Sequence, residues 1–176
     1  MKAIIKLYFK TFLLTSIPYF ALMTLFNLDE NNEIFVLKNI SASLFFGMFM
    51  SLALVSFHWY KLKKDGVEII TDENIGVNQS RIIQTKLNKT ELIHKLKLDP
   101  KIGKMKMMEM ENGVLLKTGM TMQSWGEEIK IILKSNKENN FEYQISSAPK
   151  LKTTIVDYGK NLENVNKIES VIKNIA

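Results

Sequence analysis

Residues that could do chemistry are few in this sequence. Met105/Met107, Met108/Met110 and Met120/Met122 form Met-x-Met pairs, and thioethers at such spacing suit Cu(I). Residues two apart on a strand also share one face, so the pairs are read as core-facing positions. Ser124-Trp125-Gly126-Glu127 has the Ser-x-Gly half of a nucleophile elbow, but Met122 stands where the preceding glycine is needed. The chain has no cysteine and only two histidines, His58 and His94. Disulfides, thiolate ligands, a Cys nucleophile and a His cluster for zinc or copper are thereby excluded. Arg81 is the sole arginine, which leaves lysine point charges as the main means of meeting anions. No Gly-rich phosphate loop, metal-ligand spacing or paired-carboxylate arrangement is present. No catalytic residue, metal site or cofactor is assigned, and the chain is expected not to be an enzyme.

The elements that must position these residues fall into two regions. Residues 1–62 are mostly apolar, and 67–176 have the composition of an ordinary small domain. No charge occurs from Thr11 to Leu28, nor any Asp, Glu, Lys or Arg from Asn39 to Tyr60. A span needs about 20 apolar residues, so transmembrane helices are expected over 8–28 and 40–60. Lys6 and Lys10 snorkel at the start of the first, and Pro18 is expected to kink it. A cleaved signal peptide would want small residues after its apolar core, whereas Leu25-Phe26-Asn27-Leu28 is bulky.

Lys2, Lys6 and Lys10 precede the hairpin and Lys61, Lys63 and Lys64 follow it, while Asp29, Glu30 and Glu33 lie between the helices. Positive flanks stay inside. The expectation is a multi-pass protein of a bacterial plasma (inner) membrane with both termini cytosolic and an acidic loop outside. Heavy use of Lys, Asn and Ile gives the bacterial reading. Trp59 and Tyr60 fall at the inner interface, with His58 beside them as an interfacial polar residue. Ser43, Gly47 and Ser51 line one helix face, where small residues allow close packing against the first helix or a homodimer partner.

Residues 67–176 are expected to form a cytosolic α+β domain: an antiparallel sheet with a C-terminal amphipathic helix packed on it, pleckstrin-homology-like or helix-grip-like. Val67–Ile70 and Ile75–Leu87 are strand candidates. Asn88 and Glu91 make a capping box for a short helix ended by Pro100. Lys104–Glu111 alternates with a phase slip that predicts a β-bulge at Met107-Met108. Asn112-Gly113 predicts a hairpin into Val114–Lys117. Ile129–Leu133 and Phe141–Ile145 form another hairpin, and Thr153–Val156 is a candidate last strand. Leu162, Val165, Ile168, Ile172 and Ile175 give the final helix its apolar face.

Residues 113–165 carry Ser-Trp-Gly-Glu (124–127), Ile-Ser-Ser-x-Pro (145–149), Thr-Thr (153–154) and Asp-Tyr-Gly-Lys-Asn (157–161). This stretch resembles the C-terminal half of a group of uncharacterised small bacterial proteins often attached to membrane segments. No activity comes with the resemblance. Gly126 and Gly159 suit tight turns, and Asp157 or Asn161 suits a helix cap. If the domain has a ligand pocket, Trp125, Lys152, Tyr158 and Lys160 are its expected residues.

The formal net charge is +6. Nucleic acid could exploit it, but lysines beside an anionic leaflet are the less demanding account, so no nucleic-acid partner is expected. The expected function is a non-enzymatic, membrane-tethered module whose domain binds lipid headgroups, a small apolar ligand or a membrane-protein partner. The alternative is an accessory subunit docking through Ser43, Gly47 and Ser51.

Overall fold

The computed structural model describes residues 2–26, 33–121, 124–137 and 140–173. The chain divides into two compact units, Met1–Ile75 and Gly76–Ala176.

The first unit is built on two helices, α1 (Lys2–Phe26) and α2 (Glu33–Lys64). Both are long and apolar enough to cross a membrane. Their outward side chains are apolar too: Ile17, Leu25, Phe45 and Phe49 are exposed, where a water-soluble helix pair would carry charge. Both helices exceed the expected spans. Glu33, expected in the loop, lies in α2, while Asp29 and Glu30 fall outside the described residues. Pro18 sits inside a continuous α1.

The buried face of α2 repeats about every turn: Asn39, Ser43, Gly47, Ser51, Val55, His58 and Leu62. A Cβ on Gly47 would stand 1.8 Å from Ser16 Oγ and 3.1 Å from the Phe12 carbonyl oxygen, so the small-residue face is occupied by the chain's own α1. Tyr8 Oη and Ser56 Oγ lie 2.7 Å apart, and the Tyr19 and Phe46 rings stack at 4.4 Å. His58 is fully buried within the protein, its Nε2 3.3 Å from the Ile75 carbonyl oxygen. Val67–Ile70 is not a strand. Thr71 N–H donates to Asn74 Oδ1 and Asn74 Nδ2 to the Ile69 carbonyl, so local side-chain bonds fold this segment into a turn before a sheet edge can claim it.

The second unit is a two-layer α+β fold. It runs β1 (Gln79–Thr85), α3 (Lys89–Leu98), a 3₁₀ turn (Ile102–Lys104), β2 (Lys106–Met110), β3 (Gly113–Lys117), β4 (Glu127–Lys137), β5 (Asn140–Pro149) and α4 (Lys160–Lys173). The sheet is antiparallel throughout with order β1-β5-β4-β3-β2. Its inner face presents Ile83, Val114, Leu116, Ile129, Ile131, Tyr143 and Ile145. Leu92, Ile93 and Leu96 of α3 and Val165, Ile168 and Ile172 of α4 complete the core. Asn88 and Glu91 form the reciprocal capping box that starts α3.

Several local expectations are corrected. β2 pairs with β3 without a register shift, and the irregularity falls instead between Leu133 and Ser135. Met105 and Met107 pack against the core, but Met108 and Met120 are exposed, and Met122 is outside the described residues. Gly113 is not a turn residue: it is the first residue of β3, and a Cβ there would lie 2.0 Å from the Ile131 carbonyl oxygen. Thr153–Val156 is not a strand either. Both edges of β5 are taken by β1 and β4, and Thr154 N–H closes a turn onto the Leu151 carbonyl. Ile175 is outside the described residues.

Candidate functional site

The four sequence pieces quoted between residues 124 and 161 meet at one end of the sheet, where they act first as joints. Asp157 starts α4: its carboxylate accepts from Gly159 N–H at 3.1 Å and Asn161 N–H at 2.9 Å, which satisfies donors that a helix start leaves orphaned. The chain reaches those bonds through two successive left-handed residues, Tyr158 (φ 55) and Gly159 (φ 75), the first without glycine's freedom. Asn161 is fully buried and donates from Nδ2 to Asp157 at 2.8 Å. Its Oδ1 accepts from Ser147 Oγ at 2.6 Å, and Asn164 Nδ2 donates to Ser147 at 3.3 Å. The Ile-Ser-Ser-x-Pro and Asp-Tyr-Gly-Lys-Asn pieces are thus locked together.

Ser-Trp-Gly-Glu makes the other joint. Gly126 has φ 92, and its carbonyl accepts from Lys150 N–H at 2.9 Å, bridging the β3–β4 and β5–α4 loops. Glu127 is buried, and its carboxylate accepts from the Thr118 and Ser124 hydroxyls. The Ser124 hydroxyl is therefore held by a carboxylate, and His94 is exposed on α3.

Trp125 is left with no such structural task. It is 65% exposed, between two residues whose backbones are fixed. Met120 at 68% and Leu151 at 44% are exposed on the same pair of bridged loops. Lys152 is exposed nearby, while Lys150 Nζ donates to the Thr118 carbonyl. A trough of about 470 Å³ on the outer sheet face is bounded by Val77, Asn78, Lys150 and Lys152. It puts the chain's entry into the domain beside these loops.

A pocket of about 300 Å³ lies under the first half of α4. Ile102, Met105 and Ile168 give it apolar walls, Met120 is at its loop side, and Lys101, Lys104, Lys160 and Lys167 are among its lining. Lys160 Nζ pairs with Glu163 at 2.9 Å and Lys167 Nζ with Asp99 at 2.8 Å. Burial pushes the Asp99 carboxyl up, but the bonds from Lys167 and from the Ile102 and Lys101 N–H groups outweigh it and hold it below the usual range. Burial pushes the Tyr158 phenol up.

The four expected pocket residues are therefore not one site. Lys160 lines the pocket under α4, Lys152 the outer trough, Trp125 is on the exposed loop, and Tyr158 serves the turn into α4. Sequence reasoning did not single out Lys101, Lys104, Met105 or Ile168 as neighbours. They come from the 3₁₀ turn and α4, and only the tertiary fold brings them together. Compared with known proteins, the chain matches no family model, no curated protein and no solved structure.

Proposed function

We propose that this chain is an integral membrane protein whose two long helices cross a bacterial inner membrane as a hairpin, both termini cytosolic. Its C-terminal domain is a non-enzymatic module that lays its loop end on anionic lipid headgroups. The observation carrying this reading is that Trp125, Met120, Leu151 and Lys152 are exposed on the two loops that the Gly126–Lys150 backbone hydrogen bond joins. An exposed apolar cluster rimmed by polar groups marks an interaction surface. Indole favours the headgroup level of a bilayer, and each lysine near an anionic leaflet contributes about 1 kcal/mol. The trough bounded by Val77 and Asn78 supports the same orientation, because the chain enters the domain beside this end. Lysine flanks on the hairpin support the cytosolic placement.

Of the two fold relatives expected, the helix-grip is the one we favour. What supports it is β1 lying beside β5, with α3 carrying the chain across to β2 at the far edge and α4 closing on the inner face.

The test is hydrogen exchange on the full chain in lipid nanodiscs. Amides at 119–121, 124–126 and 150–153 should exchange more slowly in phosphatidylglycerol than in phosphatidylcholine at low salt. Equal exchange in the two lipids would overturn the surface reading.

A further inference from the structure

We propose that the pocket under the first half of α4 binds one molecule of a singly charged anionic amphiphile, of the fatty-acid class. This site shares Met120 with the surface contact above but does not rest on that reading.

Its volume of about 300 Å³ sits at the small end of ligand pockets. The two chemistries of its wall lie side by side. Ile102 and Ile168 are buried, Met105 is partly so, and together they offer hydrocarbon. Lys101 and Lys104 stand on the adjoining 3₁₀ turn. Lys101 is only loosely engaged, 3.9 Å from Glu163 with its side chain largely exposed, and Lys104 takes part in none of the ion pairs among the described residues.

The acids at the pocket are already committed. Glu163 is held by Lys160, and Glu127 by two hydroxyls. A purely polar anion would leave the partly buried Met105 and the exposed Met120 against water, which forfeits the gain from covering them. A polyphosphate would meet the Glu127 and Glu163 carboxylates, and like charges at close range repel. A neutral hydrocarbon would make no use of the Lys101 and Lys104 ammonium groups. One negative charge on an apolar body fits all of these features.

The test is a titration of laurate into the full chain in phosphatidylcholine nanodiscs, read by the methyl NMR signals of Met105 and Met120. Both should shift saturably. Lys101→Glu/Lys104→Glu should weaken binding about tenfold or more, and dodecanol should bind more weakly than laurate. Met105→Trp fills the pocket from a half-buried position and should abolish the Met120 shift, with unchanged Met108 and Met110 signals reporting an intact sheet. The proposal is overturned by shifts that grow without saturating, by dodecanol binding as tightly as laurate, or by unaltered affinity in the lysine double variant. None of these readouts involves Trp125, so failure here leaves the surface reading standing.

Discussion

Ser147 Oγ donates to Asn161 Oδ1 at 2.6 Å, and both residues are buried. This bond fastens the end of β5 to the first turn of α4, and the same asparagine reaches back to the capping carboxylate of Asp157. Asn161→Ala would strip partners from two buried polar groups at once. Such groups cost about 1–3 kcal/mol each when left unpaired, so we expect about 2–4 kcal/mol of destabilisation by denaturant titration. Asp157→Ala, which removes the helix cap, should cost about 1–2 kcal/mol. A loss below half a kcal/mol in Asn161→Ala would show that water replaces the network freely.

Two glycines should respond in opposite measure to alanine. Gly113→Ala forces a Cβ onto the backbone of Ile131, which cannot withdraw without opening the β3–β4 ladder. We expect about 2–4 kcal/mol, the range of a core steric defect. Gly66 has φ 87 but open space around it, so Gly66→Ala should cost only about 1 kcal/mol of backbone strain. Thermal melts of the two variants check the ranking.

Helix pairing in the first unit should fail at Gly47. Gly47→Leu drives a side chain into Ser16, and the two helices cannot keep their separation. A disulfide engineered between α1 and α2 should form in the parent but lose efficiency in this variant. Gly47→Ala should show the same loss in weaker form.

Arg81 of β1 and Lys173 of α4 both bond to Glu169. Burial pushes this carboxyl up, and the two cations more than reverse that, holding it below the usual range. A depressed folded-state pKa gives stability that is present above the unfolded value, about 4.3, and lost as pH falls through the folded one. Glu169→Gln should therefore be less stable than the parent at neutral pH, and the gap should close on acidification below about pH 4. Arg81 is 40% exposed, so the neutral-pH gap should be about 1 kcal/mol. Paired melts at neutral and acidic pH check both sign and size.

Much of this fold is legible in the sequence because its signals are local. The charge-free runs, the Asn88/Glu91 capping box and the apolar spacing of Val165, Ile168 and Ile172 each act within one element. What escaped depends on partners far along the chain. Val67–Ile70 reads as a strand, yet bonds between Thr71, Asn74 and Ile69 fold it locally. Gly113 reads as a turn glycine, and the reason for it is the approach of β4. The candidate site was legible only in part. Lys160 and Trp125 were singled out, but Lys101 and Lys104 carry no motif, Met105 stood out only as half of a Met-x-Met pair, and all three gain their meaning from α4 lying above them.

The central claim, that the Trp125 end of the domain rests on lipid, is tested most directly by the depth of that side chain. The chain has two tryptophans, so Trp59→Phe leaves Trp125 as the sole indole reporter. In proteoliposomes containing phosphatidylglycerol, lipids brominated near the headgroup should quench its emission strongly, and deeply brominated lipids weakly. Emission that no brominated lipid quenches, with the solvent-exposed spectrum unchanged between anionic and zwitterionic membranes, would contradict the account.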